Sequence, residues 1–347
     1  MIVPDLPRHI PSLNGLRALS IILVIIAHAG DTRGAPAWLR LLKPFGNLGV
    51  RVFFLISGFL ITTLLLRECG AKGRIALGSF YARRTLRIFP GCCFYIAVVA
   101  LLRRANLVEL RPGDLAHALT YTMNYHVDRA WALNHLWSLS VEEQFYLLWP
   151  ILMVALGPRR AIRVAALSVL AAPFIRAIMW YALQSTPTAM TREFQAVGDS
   201  LALGCLLASR YNWLGGDSWY AAMAGSRLFA MVPIVGIILS MGTYLINQGV
   251  FYVLGQSLVN LMIAAGIESC IRRPAGVPGR LCNMPAFDAI GTLSYSLYLW
   301  QELFLNPFDY RSHFTAFPQN IGLAIAAAWA ARCLVERPFL RLKDWVR

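Results

Sequence analysis

The chain alternates long apolar runs with short segments rich in arginine, proline and glycine, and the runs set its architecture. About 20 apolar residues is the length a helix needs to cross a hydrocarbon core. On that measure the pattern predicts spans over 13–30, 47–66, 89–103, 137–156, 162–183, 194–209, 226–246, 250–270, 286–305 and 319–336. Several runs fall short of ~20 residues, which predicts tilts or helices that extend into their polar flanks. Residues 113–126 (GDLAHALTYTMNYH) suggest one further re-entrant or interfacial helix. The expected fold class is all-α, a polytopic membrane helix bundle of about ten transmembrane helices forming a single integral-membrane domain over 1–347.

Composition sharpens this picture. Hydrophobic residues make up 58% of the chain and charged residues only 14%, well below the ~25% charged of soluble domains. The first apolar run lacks a small-residue cleavage site in a suitable context and carries charge, so it is expected to be the first span and not a cleavable signal peptide. A net charge of +15 raises the question of a nucleic-acid partner. The basic residues gather at the ends of apolar runs, as cytoplasmic anchors do, so the expected partner is the lipid bilayer and no nucleic acid. With the N-terminus inside, the inner segments hold 19 basic residues and the outer segments nine, which predicts an N-in/C-in topology. The C-terminal LVERPFLRLKDWVR is expected to lie as an anchor along the inner interface. The seven cysteines show neither CxxC nor metal-ligand spacing, so neither a disulfide framework nor a metal is expected.

Chemistry enters with Leu13 to Gly30, LNGLRALSIILVIIAHAG. Arg17 and His28 lie eleven residues apart, about three helical turns and ~16 Å, on nearly the same face. Polar groups of this kind are costly in lipid and are expected to face the bundle interior or a water-filled cavity. A histidine in a protected site suits general-base work, and an arginine beneath it suits a phosphate or carboxylate. In NLGVRVFFLISGFLITT, Ser57-Gly58 predicts close helix packing and Arg51 an outer anchor. The segment FYARRTLRIFP is expected in an inner loop, where Arg84 and Arg87 share a face with Arg83 beside them. Such a fork-donor cluster with aromatic neighbours suits a phosphate-rich cytoplasmic ligand.

On the outer side NHLWSLSVEEQFYLLWP places Glu142 and Glu143 between Trp137 and Trp149, two expected interface anchors. Ser140 and Glu143 have the spacing of a capping box, which leaves Glu142 to orient a histidine or meet a sugar hydroxyl. Asp199 lies inside the expected span 194–209 and is expected to serve helix packing. In IGTLSYSLYLWQELF the hydroxyl and aromatic residues, Tyr295 among them, are candidates to line a substrate cavity together with Glu143 and Trp137.

These stretches together resemble the acyltransferase 3 family of integral membrane acyltransferases. The resemblance runs nearly end to end, through NGLRALSIILVIIAH with its Arg-x10-His pair, GVRVFFLISGFLIT, FYARRTLRIFP with its Arg-x-x-Arg, LWSLSVEEQFYLLWP, LSYSLYLW and VERPF. It implies acyl transfer, usually of acetyl from cytoplasmic acetyl-CoA as co-substrate, to a hydroxyl of a saccharide or glycosylated acceptor at the outer face of a cell membrane, here a bacterial inner membrane. The family's important histidine falls on His28, its arginine partner on Arg17, its Arg-x-x-Arg pair on Arg84 and Arg87, and its acidic position on Glu142. Two departures stand out: Asn14 where the opening block often has Asp, and Gln301 where the late block often has His. The esterase-like extracytoplasmic domain of some members is not expected here, and the chain is expected to depend on its membrane part.

The expected mechanism threads the thioester into the bundle until it lies beside His28. Its imidazole, with a carboxylate such as Glu142 fixing the tautomer, deprotonates the acceptor hydroxyl. An acyl-His28 intermediate is the variant. A secondary transporter or flippase is the alternative from a different class. It predicts symmetry between two halves, which the sequence does not show, and leaves the inner arginine cluster unexplained.

Overall fold

The computed structural model describes residues 10–213, 226–309 and 313–343. Among them there is no strand, and helices occupy all ten stretches expected to be spans: α1 (Pro11–Ala29), α2 (Phe45–Lys72), α3 (Leu77–Arg104), α4 (Leu136–Leu156), α5 (Pro158–Ala177), α6 (Phe194–Trp213), α7 (Arg227–Ile246), α8 (Gln256–Arg272), α9 (Pro285–Phe304) and α10 (Gln319–Ala331). Six helical stretches among the described residues are long and apolar enough to cross a membrane: Ser12–Ala29, Phe45–Lys72, Leu77–Arg104, Trp131–Leu156, Pro158–Ala182 and Gln248–Arg272. Of the basic residues counted for orientation, Arg8, Arg311 and Arg347 lie outside the described residues, as does the end of the expected C-terminal anchor, 344–347.

Two boundaries differ from expectation for a physical reason. The basic segment expected in an inner loop is the opening of α3, which runs from Leu77 straight through Pro90. Proline has no N–H to offer the carbonyl four residues back, but here neighbouring packing carries the helix past it, with Ile88, Gly91 and Cys92 buried around it. Within 113–126 only Asp114–Leu119 is helical. The rest is a turn-rich loop held by Asp114, whose Oδ2 accepts from the main-chain N–H groups of Arg111 (2.6 Å) and Ala130 (3.2 Å).

Packing divides the chain into two compact units. The first comprises the described residues of Met1–Leu19, Arg51–Ile75 and Glu142–Asp288. In it α2 and α6 approach closely at glycines, as the Ser57-Gly58 pair predicts. A Cβ on Gly58 would stand 2.0 Å from the Leu201 carbonyl oxygen, and one on Gly204 2.2 Å from that of Leu55.

This unit also buries charge. Arg176 is wholly inaccessible and bonds Asp199 at 2.9 Å, the carbonyls of Ala196 and Val253, and the Ser257 hydroxyl. Asp199 thus packs helices as expected, through an arginine the sequence did not single out. Arg51, expected as an outer anchor, is instead buried and donates to Gln256 Oε1 (2.6 Å) and Asn260 Oδ1 (3.0 Å). Trp149, also expected at an interface, is buried with its indole N–H on Thr62 Oγ1 at 2.9 Å. An ionised group without its partner is costly in such a place. Arg176→Leu is therefore expected to destabilise the detergent-solubilised protein by ~3–5 kcal/mol, and Arg176→Leu/Asp199→Leu to recover most of that, as read by thermal unfolding.

The second unit comprises the described residues of Ser20–Val50, Ala76–Val141 and Ala289–Arg347. Helices α3 and α9 run alongside each other there. The Tyr295 hydroxyl donates to the Ile88 carbonyl at 2.6 Å, and further along Trp300 meets Phe94 and Tyr95 at ring-centroid separations of 5.8 and 5.4 Å. Tyr295, a candidate cavity residue, is thus a tie between two helices. Trp137, expected as an anchor, is buried.

Candidate active site

The second unit gathers polar groups around His28, near the C-terminal end of α1. The His28 side chain keeps 25% of its surface exposed, while the Glu302 carboxylate facing it has none. His28 Nδ1 donates to the amide oxygen of Gln301 at 2.7 Å, which fixes the tautomer and leaves Nε2 with the lone pair. Glu302 Oε1 stands 3.7 Å from that Nε2. The buried carboxylate therefore faces the ring edge that the Gln301 contact leaves open.

Glu302 is held from its other side. Its Oε2 accepts from the main-chain N–H of His135 (3.0 Å) and from His135 Nδ1 (2.9 Å), and its Oε1 accepts from Asn134 Nδ2 (3.3 Å). Such multiple donation is what a buried carboxylate requires. Trp131 closes the arrangement. Its ring meets His28 edge-on at 5.3 Å and its indole N–H donates to the Glu302 carbonyl at 3.0 Å. The residue before it, Ala130, is the one Asp114 pins, so the loop's own hydrogen bonds deliver Trp131 to the site.

The other expected site residues fall as follows. Arg17 lies on α1, three turns before His28. Arg84 and Arg87 sit in the second and third turns of α3, on a helix and not in a loop. Glu142 belongs to the first unit, where Ser57 donates to its Oε1 (2.9 Å) and Tyr146 to its Oε2 (3.1 Å). The carboxylate that stands at His28 is Glu302. The expected capping box does not form, because helical structure begins upstream of Ser140. The Ser140 hydroxyl donates back to the Leu136 carbonyl at 2.9 Å, and Glu143 is an interior helical residue. Asn14, at the departure in the opening block, donates to Asp288 at 2.8 Å within the first unit. Gln301, at the other departure, is the residue that sets the His28 tautomer. His135 and Glu302 lie inside the quoted stretches NHLWSLSVEEQFYLLWP and IGTLSYSLYLWQELF, from which the sequence singles out neither. Their signal was two polar residues in apolar surroundings, and what joins them is a contact across 167 positions.

The family model described as an acyltransferase domain, Acyl_transf_3, matches residues 10–335. Relatives include the O-acetyltransferase OatA of Staphylococcus aureus, strains NCTC 8325 / PS 47 and COL. Each is 30% identical over 356 residues, an alignment covering 93% of this chain and 56% of the relative. The chain spans about half the length of the curated relatives it matches. No solved structure matches it. With its apolar helices and a family match over almost its whole length, this multi-pass membrane protein belongs to the acyltransferase 3 family.

Proposed function

We propose that the chain is a membrane O-acetyltransferase of a bacterial inner membrane. It moves an acetyl group from cytoplasmic acetyl-CoA to a hydroxyl of a saccharide or glycosylated acceptor at the outer face. The observation that carries this reading is the His28 imidazole, its tautomer fixed by Gln301 and its Nε2 3.7 Å from the buried Glu302 carboxylate. The names of the relatives support the acetyl group and the oxygen acceptor.

The acceptor oxygen attacks the thioester carbonyl as its proton passes to His28 Nε2, and Glu302 faces the imidazolium so formed. The tetrahedral intermediate collapses with cleavage of the C–S bond. The departing thiolate takes the proton from Nε2, leaving CoA thiol, an acetyl ester and neutral His28. Trp131 packs edge-on against the ring at this point.

The arginines supply the donor's anchor in this reading. Tyr95, whose ring meets His135 at 5.4 Å, lies eight residues beyond Arg87 and eleven beyond Arg84 on α3. That is an axial separation of about 12 and 16 Å. The arm between the phosphates and the thioester of acyl-CoA extends ~15–20 Å by chain dimensions, which fits the span. Arg84→Ala/Arg87→Ala is expected to weaken acetyl-CoA binding by on the order of 10²-fold, two charge-assisted contacts of ~1.5 kcal/mol each. Calorimetry on the purified chain in lipid nanodiscs measures this, and unchanged affinity would remove the arginines from the donor site.

A further inference from the structure

The grip on Glu302 is lopsided. Both contacts to Oε2 come from one residue, His135, through its main-chain N–H at 3.0 Å and its ring Nδ1 at 2.9 Å. Only the Oε1 edge is turned toward His28. His135 is 1% exposed, too deeply enclosed to meet a substrate. It is itself held in place. Its ring lies edge-on to Tyr95 (5.4 Å) and Tyr298 (5.5 Å), and its carbonyl accepts from the Tyr298 hydroxyl at 3.0 Å. The Tyr95 hydroxyl in turn donates to the Ala132 carbonyl at 2.6 Å, fixing the short helix that carries residues 131–134.

A carboxylate on a long side chain has rotamers to lose, and each one populated away from His28 removes the charge from the reacting ring. Two donors from a single enclosed residue suppress those rotamers at the Oε2 end of the carboxylate, while the Oε1 end, which also accepts from Asn134 at 3.3 Å, faces His28. We propose that His135 is the positioning residue of this centre: its Nδ1–H holds Glu302 against His28, and it acts on the reaction only through that carboxylate. The inference rests on the proposed O-acetyltransferase reading and names a residue which that reading does not require.

The test uses the full chain expressed in membranes of its native host, where the acceptor is present, with labelled acetyl-CoA as the varied substrate. Four variants are compared at equal membrane abundance: His135→Leu, His135→Asn, His135→Gln and, as control, His28→Ala. Asparagine places an N–H donor where the ring Nδ1 was, whereas glutamine carries it one bond further out. His135→Leu is expected to lower kcat by about 10–100-fold, the usual cost of losing an outer partner, with KM for acetyl-CoA unchanged. His135→Asn is expected to restore most of the rate, and His135→Gln is not.

An unchanged kcat in His135→Leu overturns the proposal, as does a loss shared equally by asparagine and glutamine. Should His135→Leu fail to accumulate, the asparagine–glutamine difference decides alone, and equal rates overturn the proposal. Retained transfer in His28→Ala would instead overturn the functional reading. Loss in His28→Ala together with an indifferent His135 overturns only this inference.

Discussion

His28→Ala is expected to abolish acetyl transfer while the protein still folds and inserts. The rate effect is at least 10²–10⁴-fold, about what a positioned general base contributes. The cost in stability is far smaller. Among the described residues His28 makes one side-chain hydrogen bond, to Gln301, and it keeps part of its surface exposed, so its loss removes on the order of 1 kcal/mol plus the penalty of an unpaired amide oxygen. Labelled acetyl-CoA and host membranes measure the first effect. Size-exclusion behaviour and thermal unfolding in detergent measure the second. Normal transfer by a well-folded His28→Ala would end the assignment. Rapid quenching followed by mass analysis of the His28 peptide separates the two chemical routes, because only the acyl-carrier route leaves a transient acetyl adduct on that peptide.

The second large effect is expected at Glu302. Glu302→Gln retains the shape of the side chain and an oxygen acceptor but removes the charge that faces the imidazolium, and kcat is expected to fall by on the order of 10²-fold with little change in KM. Glu302→Ala is a poorer probe, because it leaves His135 and Asn134 with buried donors and no acceptor, at ~1–3 kcal/mol for each group. Rate and stability fall together there, whereas glutamine separates them. An undiminished kcat in Glu302→Gln would show that the carboxylate is structural only.

The helices were legible because each apolar run is a statement about solvent, and a run long enough to cross lipid has few ways to satisfy its backbone except as helix. His28 was legible for the same reason, as a polar residue in the last turns of an apolar run. Its carboxylate was not. Glu142 and Glu143 form a conspicuous acidic pair, whereas Glu302 is one acid after Gln301 in an aromatic stretch, and nothing local distinguishes the one that reaches His28. That choice depends on how residues 131–135 meet the end of α9, a long-range contact without a local signature. The capping box at Ser140 failed for a related reason. The spacing was right, but the helix starts upstream and converts the serine from a cap to a side chain that bonds back to Leu136. Arg51 and Trp149 were assigned to the interface by position along their runs. Their amide and hydroxyl partners lie on other helices, and only the assembled unit shows that burial satisfies them.

Pro90 interrupts the hydrogen-bond ladder of α3 between the paired arginines and the level of Tyr95. With one rung missing, this is where the rod bends most cheaply, and the Tyr295 hydroxyl fastened to Ile88 braces it two residues before the break. A distortion imposed on the basic turns is therefore taken up at this notch before it reaches the packed aromatic layer beyond.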